Sequence, residues 1–339
     1  EDDTESDLIA SFLPTFMVGM GDFHSKSEDY FSLEYQPYFN FYTDHSYLNR
    51  VNQNLEVDGQ ATFSRYSTSL LLNYINTDQP NAVQNGRSSY QTLNATWQNS
   101  YYLTAKVFLR LILGLNNQSY ENGDEYQTYS VSPLLGYDIT QKLTLTFGPS
   151  AGISYIGSSE NENSSDSTQN FQGVNLGIVY NYSDKLQFDS TLGIQSRQYN
   201  GVNQSGASNF TTPVFNISAS YAATAKTSFV LQLLRDVQLS DLLQGQTYTN
   251  SQVIFTVSHT FSPHFSASMD LNYQYLQYQG SSTNDHVDKY AQFVPRLTYT
   301  FWREQCRLSA YYRWQERTST LQNSNYSVNA YGLQFSYDF

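Results

Sequence analysis

Five histidines are where a catalytic reading of this chain would begin: His24, His45, His259, His264 and His286. Nucleophilic or acid–base catalysis needs Ser, His and Asp, or two acids and a His, within hydrogen-bond reach. No local motif supplies such a set. His24 and His264 fall in short turns, His45 and His286 in longer polar loops, and His259 in an apolar register. There is no metal-ligand spacing and no phosphate-cradling glycine loop, and the single Cys306 allows no internal disulfide. These residues argue against an enzyme and against a resident metal or cofactor.

The charges that do form a pattern sit at alternate positions, on the polar side of alternating segments. The acids are Glu34, Glu56, Asp58, Asp138, Asp189 and Asp270. The bases are Lys106, Arg110, Arg197, Arg296, Arg307, Arg313 and Arg317. Arg296 and Arg307/Arg313/Arg317 fall on two neighbouring segments near the C-terminal end. Lining a water-filled pore, such a strip would bias the passage of ions or anionic sugars, and Glu56 and Asp58 would form an acidic counterpart. The competing reading is that acids and bases pair and only stiffen the wall. Tyr38, Phe108 and Tyr311 share the polar register, where they could stack on sugar rings or simply pack.

Positioning these side chains requires many strands. The chain repeats one unit: an alternating segment, a tight turn, another alternating segment and a longer polar loop. Phe31, Leu33, Tyr35, Phe39 and Phe41 share a face. So do Leu103, Ala105, Val107, Leu109, Leu111 and Leu113; Leu143, Leu145, Phe147, Ala151, Ile153 and Tyr155; Val174, Leu176, Ile178, Tyr180 and Tyr182; and Phe265, Ala267, Met269, Leu271, Tyr273 and Tyr275. Period 2 makes a strand with one apolar and one wet face. The segments run roughly 10–14 residues, enough for a tilted membrane-crossing strand and about twice a soluble-sandwich strand. Aromatics collect at segment ends, as interface girdles do. Short turns include Ser183-Asp184-Lys185, Thr140-Gln141-Lys142, Ala225-Lys226 and Ser262-Pro263-His264. Longer loops span Thr77–Arg87, Gly157–Ser167, Asn200–Ser208 and Gly280–Asp288, and loop ends hold Glu121, Asp124, Glu125, Glu160, Glu162, Asp166, Asp285 and Asp288 as a solvated acidic rim.

Composition agrees. Charged residues are 14% and aromatics 16%, with 30 Tyr and 21 Phe. Mean hydropathy is −0.51, and no apolar run approaches the ~20 residues of a spanning helix. A barrel evades that rule because every second residue faces water. A net charge of −13 argues against a nucleic-acid partner.

The last segment alternates Tyr331, Leu333, Phe335, Tyr337 and Phe339 with small or polar residues. Such an ending resembles the C-terminal assembly signal of Gram-negative outer-membrane barrels, which implies a periplasmic C-terminus. Counting back from it gives about 17 segments, whereas single-chain bacterial barrels use even numbers. Eighteen strands with the first absent from this chain is the favoured expectation, and Glu1–Asp7 would then end a loop. Sixteen strands with a periplasmic tail is the alternative. Pro14, Pro37, Pro133, Pro149, Pro213 and Pro295 fall inside segments, where bends or bulges are expected, because Pro cannot donate to a ladder.

The segments Leu13-Pro-Thr-Phe-Met-Val-Gly-Met-Gly-Asp-Phe23, Tyr35-Gln-Pro-Tyr-Phe-Asn-Phe-Tyr-Thr-Asp44 and Thr212-Pro-Val-Phe-Asn-Ile-Ser-Ala-Ser-Tyr221 resemble the beta-barrel porin-2 family. The resemblance implies an outer-membrane barrel, in a group often associated with exopolysaccharide loci, and carries over no functional residue. The expectation is therefore an all-β, transmembrane, antiparallel up-and-down barrel of about 16–18 strands, forming one domain over residues 1–339 with 1–7 as loop or tail. It would act as a passive porin-like channel for hydrophilic solutes, with an exopolysaccharide or oligosaccharide conduit as its narrower form. The alternative is a scaffold barrel that anchors, or is plugged by, a partner protein. Expected partners are outer-membrane lipid, lipopolysaccharide and the barrel assembly machinery.

Overall fold

The structure is a computed structural model. It describes residues 8–337 except 24–28, 45, 47–48, 81–86, 122–123, 159–166, 201–208, 240–246, 280–285, 303–304 and 321–324. Residues 1–7, His24, His45 and Phe339 lie outside the described residues.

The fold is all-β, with strands running up and down in chain order. They are β1 (Ile9–Phe12), β2 (Phe16–Gly21), β3 (Tyr30–Tyr42), β4 (Arg50–Thr62), β5 (Tyr66–Pro80), β6 (Arg87–Tyr102), β7 (Val107–Tyr120), β8 (Asp124–Thr140), β9 (Leu143–Ser158), β10 (Ser167–Ser183), β11 (Leu186–Asn200), β12 (Phe210–Thr224), β13 (Thr227–Leu239), β14 (Thr247–Ser262), β15 (Phe265–Gln279), β16 (Val287–Phe301), β17 (Cys306–Ser319) and β18 (Tyr326–Tyr337). By internal contacts the chain divides into two compact units. The first comprises 1–135, 149–171 and 199–202; the second comprises 136–148, 172–198 and 203–339.

In the first unit, β1 and β2 both pair antiparallel with β3, and in one register: Phe12 meets Phe39 and Phe16 meets Tyr35. They are two pieces of a single crossing. The register carried across the gap puts Pro14 opposite Pro37, so neither strand has an N–H to give there, and the ladder lapses. Counted by crossings, the eighteen strands of the described residues make seventeen, in line with the about 17 segments read from the sequence. From β3 to β7, each strand pairs with the next.

In the second unit, β11 to β18 pair successively in the same way. Pairing of β16 with β17 skips Val294 and Pro295, yet the register before and after is unchanged. Pro213 likewise sits in register opposite Ile194. Of the expected bends or bulges, the bulge is thus corrected at Pro213 and Pro295. The register shifts in β12 and β14 occur at Ala222/Thr224 and Thr260/Ser262, beside tight turns. A missing donor interrupts a ladder without adding a residue, whereas a tight turn must absorb strand twist.

In both units the apolar face of the strands is the exposed one. Phe41, Leu109 and Leu111 in the first, and Ile194, Val253, Leu297 and Leu333 in the second, are exposed, Ile194 at 63% and Leu333 at 78%. Buried side chains lie on the other face and are largely polar or aromatic, among them Ser32, Asn52, Ser100, Phe108, Asn250, Tyr278 and Arg317. This inversion of the soluble pattern suits a wall with lipid outside and water within.

The strands are also longer than alternation alone indicates. β8 and β10 have 17 residues each, roughly 56 Å at ~3.3 Å per residue, well beyond a ~25 Å apolar band. The ladder continues through polar sequence, so Asp78, Asp124, Glu125 and Asp288 stand on strands and not in loops. Conversely, Leu103 and Ala105 belong to the turn before β7.

Candidate functional site

Two stretches of polar face carry most of the candidate residues. In the first unit, β3 and β4 place Glu34 directly opposite Glu56, and Asp58 opposite Ser32. Directly opposed like charges are normally disfavoured. Here three carboxylates share a small area of one face. Asp58 accepts from the Tyr30 hydroxyl at 2.9 Å.

An uncharged amide row runs on from these acids across the strands. Glu56 pairs with Asn73, Asn73 with Asn94 and Asn94 with Asn116. The Asn73 amide donates to Asn54 Oδ1 at 3.0 Å, Asn116 donates to Asn94, and Gln36 donates to Thr15 Oγ1 at 2.8 Å. The row is half-buried, so every member still offers hydrogen-bonding capacity to the wet side. Farther along β7, Arg110 donates to Ser100 Oγ and lies 5.0 Å over the Phe108 ring. Phe108 is buried and tilted against Tyr102. Tyr38 is half-buried, 3.4 Å from Ser11 Oγ.

In the second unit, cross-strand register puts Arg317 beside Tyr290, Tyr311 beside Arg296, and Arg307 beside Thr300. Partners across a strand pair point the same way, so Arg296, Arg307, Arg313 and Arg317 share one face. The four behave differently. Arg317 is 1% exposed and holds Asp288, itself fully buried, at 2.8 Å. His286 Nε2 lies 3.9 Å from the same carboxylate, and its ring stacks on Tyr278 at 3.8 Å. Tyr278 meets Tyr248 at 5.1 Å, and the Tyr248 hydroxyl donates to Gln238. Arg296 lies 5.4 Å over the Tyr311 ring and donates to Gln334 Oε1 at 2.8 Å. Tyr311 covers Gly332: a Cβ there would sit 2.3 Å from the ring. Arg313 is half-buried and Arg307 exposed.

The remaining candidates are braced one at a time. Arg197 is buried and donates to the Val237 carbonyl at 2.9 Å and Gln195 Oε1 at 3.0 Å. Asp138 accepts from Thr144 at 2.6 Å, and Asp270 from Thr256 at 2.7 Å. Asp189 pairs with Ser218. Lys106 lies in the exposed turn before β7, off the wall, which corrects its inclusion among wall residues. Tyr331, Leu333, Phe335 and Tyr337 lie exposed along one face of β18.

Sequence reading missed the depth of Asp288 and His286, which it assigned to a solvated loop. A signal was present: His286, Asp288 and Tyr290 have the alternating parity of the β16 polar face. It also missed the amide row, because no single segment contains it. The described histidines are engaged by the wall. His259 Nδ1 is 2.8 Å from Thr227 Oγ1, and His264 Nδ1 is 3.1 Å from the Thr300 carbonyl. Among the described residues, no group of three His, Cys, Asp or Glu could hold a metal.

Residues 154–339 match a family model described as "Putative beta-barrel porin 2". Among solved structures, the fold is similar to the "Copper transporter OprC", with a TM-score of 0.51 and 8% identity over 96% of this chain. It is also similar to the FrpB iron transporter of Neisseria meningitidis (F5-1 variant), with a TM-score of 0.50 and 8% identity over 99% of this chain. The chain spans 65% of the first of these and 68% of the second. No curated protein matches by sequence.

Proposed function

From the premise that this chain belongs to the Putative beta-barrel porin 2 family, and so is an outer-membrane barrel of the porin type, we propose that it is a passive channel for hydrophilic solutes, with neutral or weakly charged saccharides as its narrower substrate class. The observation that carries this is the amide row Asn54, Asn73, Asn94 and Asn116 on the wet face of β4–β7. Amides donate and accept at one position, as sugar hydroxyls do, and leave no net field to trap an ion. The acids Glu34, Glu56 and Asp58 beside the row, and Arg296, Arg307 and Arg313 on the second unit's wet face, would tune passage by charge.

On this reading the wet face is the lumen, an exopolysaccharide or oligosaccharide is the long cargo it suits, and the C-terminal strand ends in the periplasm. The partners are lipopolysaccharide-containing lipid and an assembly machinery that reads Tyr331, Leu333, Phe335, Tyr337 and Phe339. Purified protein in planar bilayers should give single-channel steps, and its liposomes should swell in neutral oligosaccharides. Silent bilayers would overturn the channel and favour a scaffold barrel or one plugged by a partner. Steps without oligosaccharide-driven swelling would restrict the channel to small solutes.

A further inference from the structure

The two ends of the strands differ in charge more sharply than net composition indicates. The longer connections, which follow β3, β5, β7, β9, β11, β13, β15 and β17, contain no Lys or Arg, and hold Asp44, Glu121, Glu160, Glu162, Asp166, Asp241 and Asp285. At the opposite end, every described tight turn from β4 to β15 carries one base: Arg65, Lys106, Lys142, Lys185, Lys226 and His264 in turn, all exposed. Asp184 is the acid among those turns; the connections after β2 and β16 add Lys26 and Arg303 together with Asp22, Glu28, Asp29 and Glu304, so the contrast is carried by the hairpins from β4 to β15.

Local chemistry sets these positions. Thr104, Thr140, Ser183 and Thr224 each accept, through the side-chain oxygen, from the backbone N–H two residues on, which is Lys106, Lys142, Lys185 or Lys226. That hydroxyl-closed turn fixes the base at its tip. Five of the six tips are then tied to the neighbouring hairpin through the base's own carbonyl. In the first unit Arg65 accepts from the Tyr102 amide; in the second, Lys142, Lys185, Lys226 and His264 accept from the Asn181, Ala222, Thr260 and Thr300 amides at 2.7–2.8 Å. In the second unit, Lys142, Lys185, Lys226 and His264 therefore stand at one level of the wall, two strand spacings or about 10 Å apart.

Exposed aromatics stand beside them: Phe63 and Tyr101 in the first unit, Tyr182, Tyr221, Phe261 and Tyr299 in the second. Aromatic rings next to cationic tips are the signature of a membrane–water interface. We propose that this tight-turn end is a lipid-headgroup surface, one base per hairpin holding the phosphates of an anionic phospholipid leaflet while the aromatic collar sits just below. The inference rests on the membrane-barrel reading. It adds an electrostatic registration of the barrel at one leaflet, with the acidic loop end repelled from anionic surfaces.

The test uses the full chain in detergent, exchanged into nanodiscs of phosphatidylcholine containing one-fifth phosphatidylglycerol. Lipid retained after delipidating washes is counted by native mass spectrometry. Wild-type protein should retain phosphatidylglycerol preferentially. The variant Lys142→Gln/Lys185→Gln/Lys226→Gln should lose at least tenfold of that preference at low salt, since one basic charge near an anionic surface changes partition roughly fivefold. Lys289→Gln, an exposed base at the loop end, should change nothing. Heat-modifiable gel mobility and channel steps should survive in the triple variant. If they do while phosphatidylglycerol retention also stays at the wild-type level, the proposal fails and the barrel reading stands.

Discussion

The wet face of β3–β7 and that of β13–β17 solve the same problem in opposite ways. The first leaves carboxylates facing one another, Glu34 against Glu56, and joins its strands by neutral amides that are half-buried. The second buries its charges and closes them, with Asp288 between Arg317 and His286 beneath a layer of Tyr278 and Tyr248. A charge already engaged and dry holds the wall together and has little left for a passing solute. A half-buried charge or amide row adds little stability and, on the proposed channel reading, remains readable by a passing solute. The first face should therefore govern selectivity and the second rigidity. Within the arginine strip the same division separates Arg317, which braces, from Arg307 and Arg313, which stand more open.

The most direct way to break this contrast is Arg317→Ala. It leaves Asp288 buried without its cation, and should cost ~3–5 kcal/mol, whereas Arg317→Met with Asp288→Leu should recover most of that loss. Thermal unfolding of the heat-modifiable band reads both, and a silent single variant would make the pair ornamental. Gly332→Ala comes next. Its methyl would meet the Tyr311 ring at 2.3 Å, so Tyr311 must swing off and release Arg296, at ~1–3 kcal/mol of overpacking.

Asn94→Ala should cost ~0.5–1.5 kcal/mol, because it removes a half-buried member of the amide row. It should also reduce oligosaccharide-driven swelling more than the flux of small ions. Swelling and conductance falling in proportion would show that the row does not read sugars. The smallest stability effect is expected for Glu34→Gln with Glu56→Gln, within ~0.2–1 kcal/mol and of stabilising sign, since opposed like charges are relieved. Its reversal potential should nonetheless move toward anions, while Arg307→Glu with Arg313→Glu moves it toward cations. If neither moves, both faces are structural and the contrast collapses.

Much of this was legible in the chain itself. The apolar faces, with Leu109, Leu111, Val174, Leu176, Leu271 and Tyr273 exposed, lie where alternation puts them. The tight turns at Gln141-Lys142, Asp184-Lys185, Ala225-Lys226 and Pro263-His264 fall where they were read. Parity also put Arg296, Arg313 and Arg317 on the wet side. The depth of Asp288 was not legible, because polarity at a segment's end looks the same whether the ladder continues or a loop begins.

Strand identity, facing and the bases at the turn tips are matters of nearest neighbours in the chain, period 2 and a hydroxyl two residues before a Lys, so the sequence by itself determined them. What meets what was decided only in three dimensions. Asp288 reaches Arg317 across 29 residues, and Asn54, Asn73, Asn94 and Asn116 become one row, because hydrogen-bond register between strands aligns positions that no local window contains. A slip of one residue in any hairpin would send one member of each pair to the lipid face.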